Sequence, residues 1–250
     1  MLKSFRGTGF ASALVIALAT SPTIQADDRP EADRKTSKQE ATAPQEATAP
    51  QEAAAIDTTG EAIPIADASS PRPTVEAFHA GLLEIMKEAK VIGFQGRIDR
   101  LAPLMAETFD LGFMASKTVG GHWRKLSDAD KRRWTEVFTQ ITVANYAGRF
   151  TGYTGEEFVT IDIEEAKRGQ RLVLTKIVIP EEEDVQLNYR LRKTDSGWRV
   201  IDVYLNGTVS ELALRRSEYS TALKREGFEE LVASIETKIE DMKAKGLVDG

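Results

Sequence analysis

The sequence contains no cysteine, and that absence removes several classes of protein at once. Disulfides, thiol catalysis and thiolate metal sites are all excluded. Histidine is scarce too, with only His79 and His122 among 250 residues. They lie far apart in sequence, and neither has the partner spacing of a metal site or a catalytic dyad. His79 falls among apolar residues on a helical pattern, which suits a packed or surface residue. His122 follows two glycines and precedes Trp123, which suits a loop. No phosphate-binding glycine loop, dinucleotide fingerprint or nucleophile elbow occurs. Lysine and arginine number 33 against 39 acidic residues, for a net charge of −6. The chain therefore lacks the basic footprint that nucleic-acid phosphates demand. The expectation is a protein without catalytic residues, metal or cofactor.

The N-terminus has the pattern of a secretory signal. Lys3 and Arg6 precede a short apolar run, Ala11 to Ala19, and a polar segment begins after Ala26. The run is too short to span a bilayer, so residues 1–26 read as a signal peptide cleaved after Ala26. An uncleaved membrane anchor is the competing reading. Residues 27–72 are rich in Ala, Glu, Gln, Thr and Pro, have no aromatic residue, and carry QEATAP twice in tandem from Gln39 to Pro50. So little apolar surface cannot offset the entropy of ordering, so this stretch is expected to be a disordered tether. It would serve either as a spacer near a membrane partner or as a neutral tail. The folded domain is expected over residues 73–250. Without disulfides it must be held by packing alone.

Helical spacing of Val75, Phe78, Leu82, Ile85, Met86 and Ala89 predicts a helix over 74–90, with a break at Gly93 and Gly96. A second short helix is predicted to about Thr108, with Pro103 inside it, and a third over 111–119. Ser127 and Asp130 give a capping signal for a long helix towards Phe150. The period then changes to two. Val159, Ile161 and Ile163 alternate with polar residues, 172–179 is nearly all apolar, and Val185, Leu187, Tyr189 and Leu191 alternate again. Trp198 to Leu205 makes a fourth run. Four runs with short polar links predict an antiparallel meander, and helices are expected over about 209–225 and 227–245. The predicted class is α+β, with helices packed on a curved four-stranded antiparallel sheet around an apolar cavity. The second strand, apolar on both faces, predicts a sheet covered on both sides. The acidic runs Glu181 to Asp184 and Glu156, Glu157 read as solvated loop charges, or as docking charges in the competing reading.

The segment from Phe109 to Trp134, FDLGFMASKTVGGHWRKLSDADKRRW, resembles the signature of the MlaC, or toluene-tolerance, family of periplasmic lipid-binding proteins. Further likeness lies in Tyr146, Phe150, Tyr153, Gly155 and Glu156. It continues in Tyr189 to Arg192 with Gly197, Trp198, Arg199, Val200, Asp202 and Val203, and in Gly207, Val209, Ser210, Arg216, Ser217 and Tyr219. It covers nearly all of 74–246. GTVSELALRRSEY, from Gly207 to Tyr219, departs from the usual pattern and looks more like the hopanoid-associated branch, HpnM. The resemblance implies helices and a sheet enclosing lipid tails in a soluble periplasmic carrier. It also implies a phospholipid or hopanoid ligand, and partners in an inner-membrane lipid transport complex and an outer-membrane lipoprotein complex.

A carrier answers a physical need. Roughly 30 methylenes at about 0.8 kcal/mol each oppose free diffusion of a two-tailed lipid through water by roughly 24 kcal/mol. Candidate wall residues are Phe109, Phe113, Met114, Trp134, Phe138, Ile141, Val159, Ile161, Val173, Leu187, Tyr189 and Val203; each also suits ordinary core packing. Arg215 and Arg216 are head-group candidates, since arginine forks suit phosphate, or else they pair with Glu211 and Glu218. Arg190 and Arg192 alternate away from the apolar face. Two other classes remain open: an enzyme with Asp202 as base and Tyr204 as donor, and a non-catalytic envelope interaction module with a packed interior.

Overall fold

A computed structural model describes residues 69–246. The expected signal peptide and the tether up to residue 68 lie outside the described residues. The fold reaches slightly ahead of the expected boundary at Pro73, because the Trp198 indole donates to the Ser69 carbonyl at 2.9 Å.

Helix α1 spans Arg72–Thr108. It joins the two helices expected on either side of the glycines. Gly93 breaks the regular path with φ 64° and ψ −173°, while Gly96 stays helical and Pro103 is accommodated. The kink leaves carbonyls for other donors. Buried Arg97 takes one, the Ala89 carbonyl at 2.8 Å, and also bonds the Ala147 carbonyl at 2.8 Å, tying the kink to the helix over 128–149. The Gly93 conformation is essentially reserved for glycine, yet a Cβ there would meet nothing within 4 Å. Gly93→Ala is therefore expected to cost about 1–3 kcal/mol through the backbone alone. A denaturant melt showing no loss would contradict this account of the kink.

Helix α2 spans Leu111–Thr118, with Asp110 as its N-cap, and a 3-10 turn over Gly120–Lys125 carries His122. Helix α3, Asp128–Arg149, opens at the expected cap: Ser127 Oγ accepts from the Asp130 amide at 3.1 Å. Strands β1 (Glu157–Ala166), β2 (Gln170–Val178), β3 (Val185–Thr194) and β4 (Gly197–Leu205) form the predicted meander. A two-residue fifth strand, β5 (Val209–Ser210), adds to β4, so the open antiparallel sheet runs β1-β2-β3-β4-β5 rather than stopping at four. Helices α4 (Glu211–Glu226) and α5 (Phe228–Gly246) complete the α+β architecture.

Register assigns the faces, because residues directly opposite in an antiparallel pair share one. Phe158, Thr160 and Ile163 of β1 stand opposite Ile177, Thr175 and Val173 of β2. Val173 stands opposite Tyr189, which stands opposite Val203, and Leu187 opposite Leu205. This inner face meets α1 and α3. Two expectations change here. A bulge at Ile161 inserts one residue into β1 and reverses its alternation. Val159 and Ile161, predicted to face inward, are instead 36% and 51% exposed, and Phe158 and Thr160 take the inner places. The second strand is not covered on both sides: Leu172 and Leu174, on its other face, are only half-buried.

Candidate functional site

The inner face gathers aromatic rings from four elements. Phe78 of α1 has its ring centroid 5.1 Å from Phe109, 5.9 Å from Tyr146 of α3 and 6.2 Å from Tyr189 of β3. Tyr146 extends the cluster to Phe150, and Phe150 to Phe158 of β1. The surrounding wall from Val173 to Leu205 is aliphatic apart from buried Thr175, and the ion pair Arg171–Glu165 closes one end of that face at 3.0 Å. A second aromatic group joins α2, α3 and α4. Trp134 lies 6.4 Å from Phe138 and 5.3 Å from Tyr219, and its indole donates to the Ala115 carbonyl at 3.0 Å.

The wall candidates thus divide. Phe109, Val173, Leu187, Tyr189 and Val203 belong to the inner face, and all are buried. Met114, Trp134, Phe138 and Ile141 are buried on α2 and α3. Phe113 is half-buried with two cations against its ring, Arg192 at 4.3 Å and Lys117 at 4.7 Å from the centroid. Val159 and Ile161 stand apart. Neither head-group candidate bonds to the inner face: Arg215 pairs with Glu218 at 2.9 Å, and Arg216 packs 3.5 Å from the position a Gly120 Cβ would take.

One polar pair sits inside the ring cluster, joining the wall candidate Tyr189 to His79, which was expected only to be a packed or surface residue. His79 Nε2 lies 3.0 Å from the Tyr189 hydroxyl, and its ring stacks on Phe158 at 4.4 Å. Burial pushes the His79 pKa down to about 3, so the imidazole is neutral and poorly suited to act as a base near neutral pH. Burial likewise raises the Tyr146 and Tyr189 hydroxyls. The depressed His79 value has a consequence for stability. Between pH 6.5 and about 3 the unfolded chain takes up a proton that the folded chain refuses. The contribution is complete above the unfolded pKa and is lost as pH falls through that window. Going from pH 7 to pH 5, the wild type should lose about 2 kcal/mol more than His79→Gln in urea titrations. Equal losses would place His79 in a more open setting.

Asp202, proposed above as a base, is 1% exposed and fully engaged. It accepts from the Val203 amide (2.9 Å), the Leu212 amide (3.1 Å), Ser210 Oγ (2.7 Å) and Arg190 (2.9 Å). Burial pushes its carboxyl upward against these bonds, which pull the other way. It lies on the sheet face opposite Tyr189, where it fastens the start of α4 to β4. Asp202 thus serves as a structural tie, with its oxygens committed.

An open cleft of about 530 Å³ lies where β3 turns into β4 against α1, α2 and α3. Ala106, Phe109, Asp110, Leu111, Gly112 and Thr139 line one side, and Arg192, Thr194, Ser196 and Arg199 the other. Phe109 belongs to both the cleft and the ring cluster, so the two adjoin. Its polar members come from three chain segments, which explains why sequence spacing did not reveal them. Among the described residues no group of three His, Asp or Glu side chains is placed to hold a metal. No described helix is long and apolar enough to cross a membrane.

Comparison with known protein families matches residues 76–237 to the MlaC protein family. The chain belongs to the MlaC family. No curated protein matches it. Among solved structures it is similar to the phospholipid-binding protein of Ralstonia solanacearum, determined in complex with a phospholipid. That similarity has a TM-score of 0.63 at 17% identity and covers 70% of this chain and 99% of the other. At that identity the likeness establishes a shared fold. The residues that suggested the MlaC family from sequence, Phe109 to Trp134 and Tyr189 to Val203, form the α2–α3 unit and the β3–β4 hairpin around the cleft.

Proposed function

We propose that this MlaC-family chain is a periplasmic lipid carrier, exported by its N-terminal signal, which holds the acyl tails of a phospholipid and performs no chemistry on them. The observation that carries this reading is the inner face itself. From Val173 to Leu205 it is aliphatic and aromatic apart from Thr175, its Phe158 and Tyr189 link to five further rings, and it adjoins an open cleft through Phe109. The solved relative with this fold binds a phospholipid, which adds support. Tyr189 and Val173 are 0% exposed, so tails would enter by parting α1 and α3 from the sheet. Phe109, Val173, Leu187, Tyr189 and Val203 then form the first wall, with Met114, Trp134, Phe138 and Ile141 behind it. Delivery between inner- and outer-membrane transport complexes follows as the role of such a soluble holder.

The test is extraction of fluorescent phospholipid from vesicles by the purified protein, with the soluble fraction separated by flotation. Stoichiometric lipid in the protein fraction is expected. Lipid that stays entirely with the vesicles would reject the carrier and favour the envelope module.

A further inference from the structure

We propose that the cleft at the hairpin turn between β3 and β4 binds a phosphate group, with Arg199 and Arg192 as its ligands and the phosphodiester of a carried lipid as its occupant. The proposal rests on the carrier reading above.

The sheet register places Arg192 directly opposite Arg199 on the face away from Tyr189, so the cleft adjoins the inner face only past Phe109. Like charges directly opposite one another weaken a sheet, so the arrangement calls for an anion between or beside them. Only one of the two is answered. Arg192 pairs with Asp110 through Nε at 2.7 Å and through its second terminal nitrogen, which leaves Nη1 without a hydrogen bond among the described residues. Arg199 donates to the Ala106 carbonyl at 3.2 Å and to Ser196 Oγ at 3.4 Å, and among the described residues no carboxylate faces it. Two guanidiniums against one carboxylate leave the cleft a single positive charge, which a phosphodiester would cancel.

The remaining geometry suits the same ligand. Guanidinium forks match phosphate oxygens in two-point contacts. The hydroxyls of Thr194 and Ser196 line the same wall and can supply further polar contacts. Asp110 holds Arg192 in place and caps α2 at the Phe113 amide at 3.0 Å, so this guanidinium is fixed before any ligand arrives. Phe109 forms the apolar side of the cleft and leads to the ring cluster. A lipid lying across Phe109 would thus have its phosphate at the arginines and its tails towards the inner face. By contrast, Arg215 is already paired with Glu218.

The test is calorimetric titration of the full chain with three probes: dihexanoyl phosphatidylglycerol, dihexanoylglycerol with the same tails and no phosphate, and inorganic phosphate. Arg199→Ala should weaken the phosphatidylglycerol about tenfold, the size of one lost charge-assisted contact. It should leave dihexanoylglycerol unchanged, which also shows that the variant is folded. Arg199→Lys should recover part of the loss, since it keeps the charge and loses the fork. Equal weakening of both lipids, or no weakening, would overturn the proposal. So would a selective loss on Arg216→Ala instead, which would move the head group to α4. Inorganic phosphate binding as tightly as the lipid would make a free anion the occupant and overturn the head-group assignment. Wild-type protein that bound neither lipid would remove the carrier reading itself, whereas binding of both with no dependence on Arg199 would remove only this site.

Discussion

Val173→Trp is expected to abolish lipid retention while leaving the domain folded. Val173 is 0% exposed at the centre of β2, opposite Ile163 on one side and Tyr189 on the other. A tryptophan there would project into the layer where the tails are proposed to lie, and it remains apolar. Overpacking costs about 1–3 kcal/mol, which a domain with this core can absorb. A charged substitution such as Leu187→Asp would also empty the site, but burying an unpaired charge would unfold the protein as well and blur the reading. The measurement is phospholipid co-purifying with each variant, with circular dichroism as the check on folding. We expect at least a tenfold drop. A folded Val173→Trp with a full complement of lipid would place the tails elsewhere, most directly in the second cluster around Trp134 and Phe138.

The largest loss of stability is expected from Asp202→Ala. The substitution strands Arg190 with its Nε already lacking a partner, and it removes acceptors from Ser210 Oγ and the Leu212 amide at the start of α4. Removing one member of a buried ion pair typically costs about 3–5 kcal/mol. Ser210→Ala is the control, since it removes the α4 N-cap and one bond to Asp202 for about 1 kcal/mol. Urea denaturation should show Asp202→Ala well below Ser210→Ala. Similar losses for the two would mean that the carboxylate adds little beyond the cap. Lipid binding in Ser210→Ala should persist, because neither residue lies on the inner face.

Much of the architecture was legible because periodicity carries it. The change from helical spacing in α3 to alternation in β3 marks the two halves of the domain, and Ser127 announces the start of α3 in its own side chain. What the sequence hid depends on three-dimensional company. The phase of β1 turned on the single extra residue at Ile161, and the alternation of residue types passes straight through a bulge. The two-residue β5 is too short to show any period. His79 looked like an isolated helical histidine because its partner, Tyr189, lies 110 positions away. Phe158, now stacked on that histidine, was masked by the same error of phase. The arginine cleft needs Asp110 brought to the hairpin of Arg192 and Arg199, 82 positions from Arg192, so no local spacing could have assembled it. By contrast, the residues that carried the family likeness do sit around one region, although several are there for packing and capping.

A carrier must hold lipid. Native mass spectrometry of the full-length protein purified from an exporting bacterial host measures that directly. One protein molecule should carry one phospholipid-sized mass, released on unfolding and identified by fragmentation, and Val173→Trp should lack it. A wild-type spectrum showing only the bare polypeptide, unchanged after incubation with phospholipid vesicles, would contradict the carrier. A released polycyclic lipid in place of phospholipid would contradict the ligand assignment and the role given to the arginine cleft.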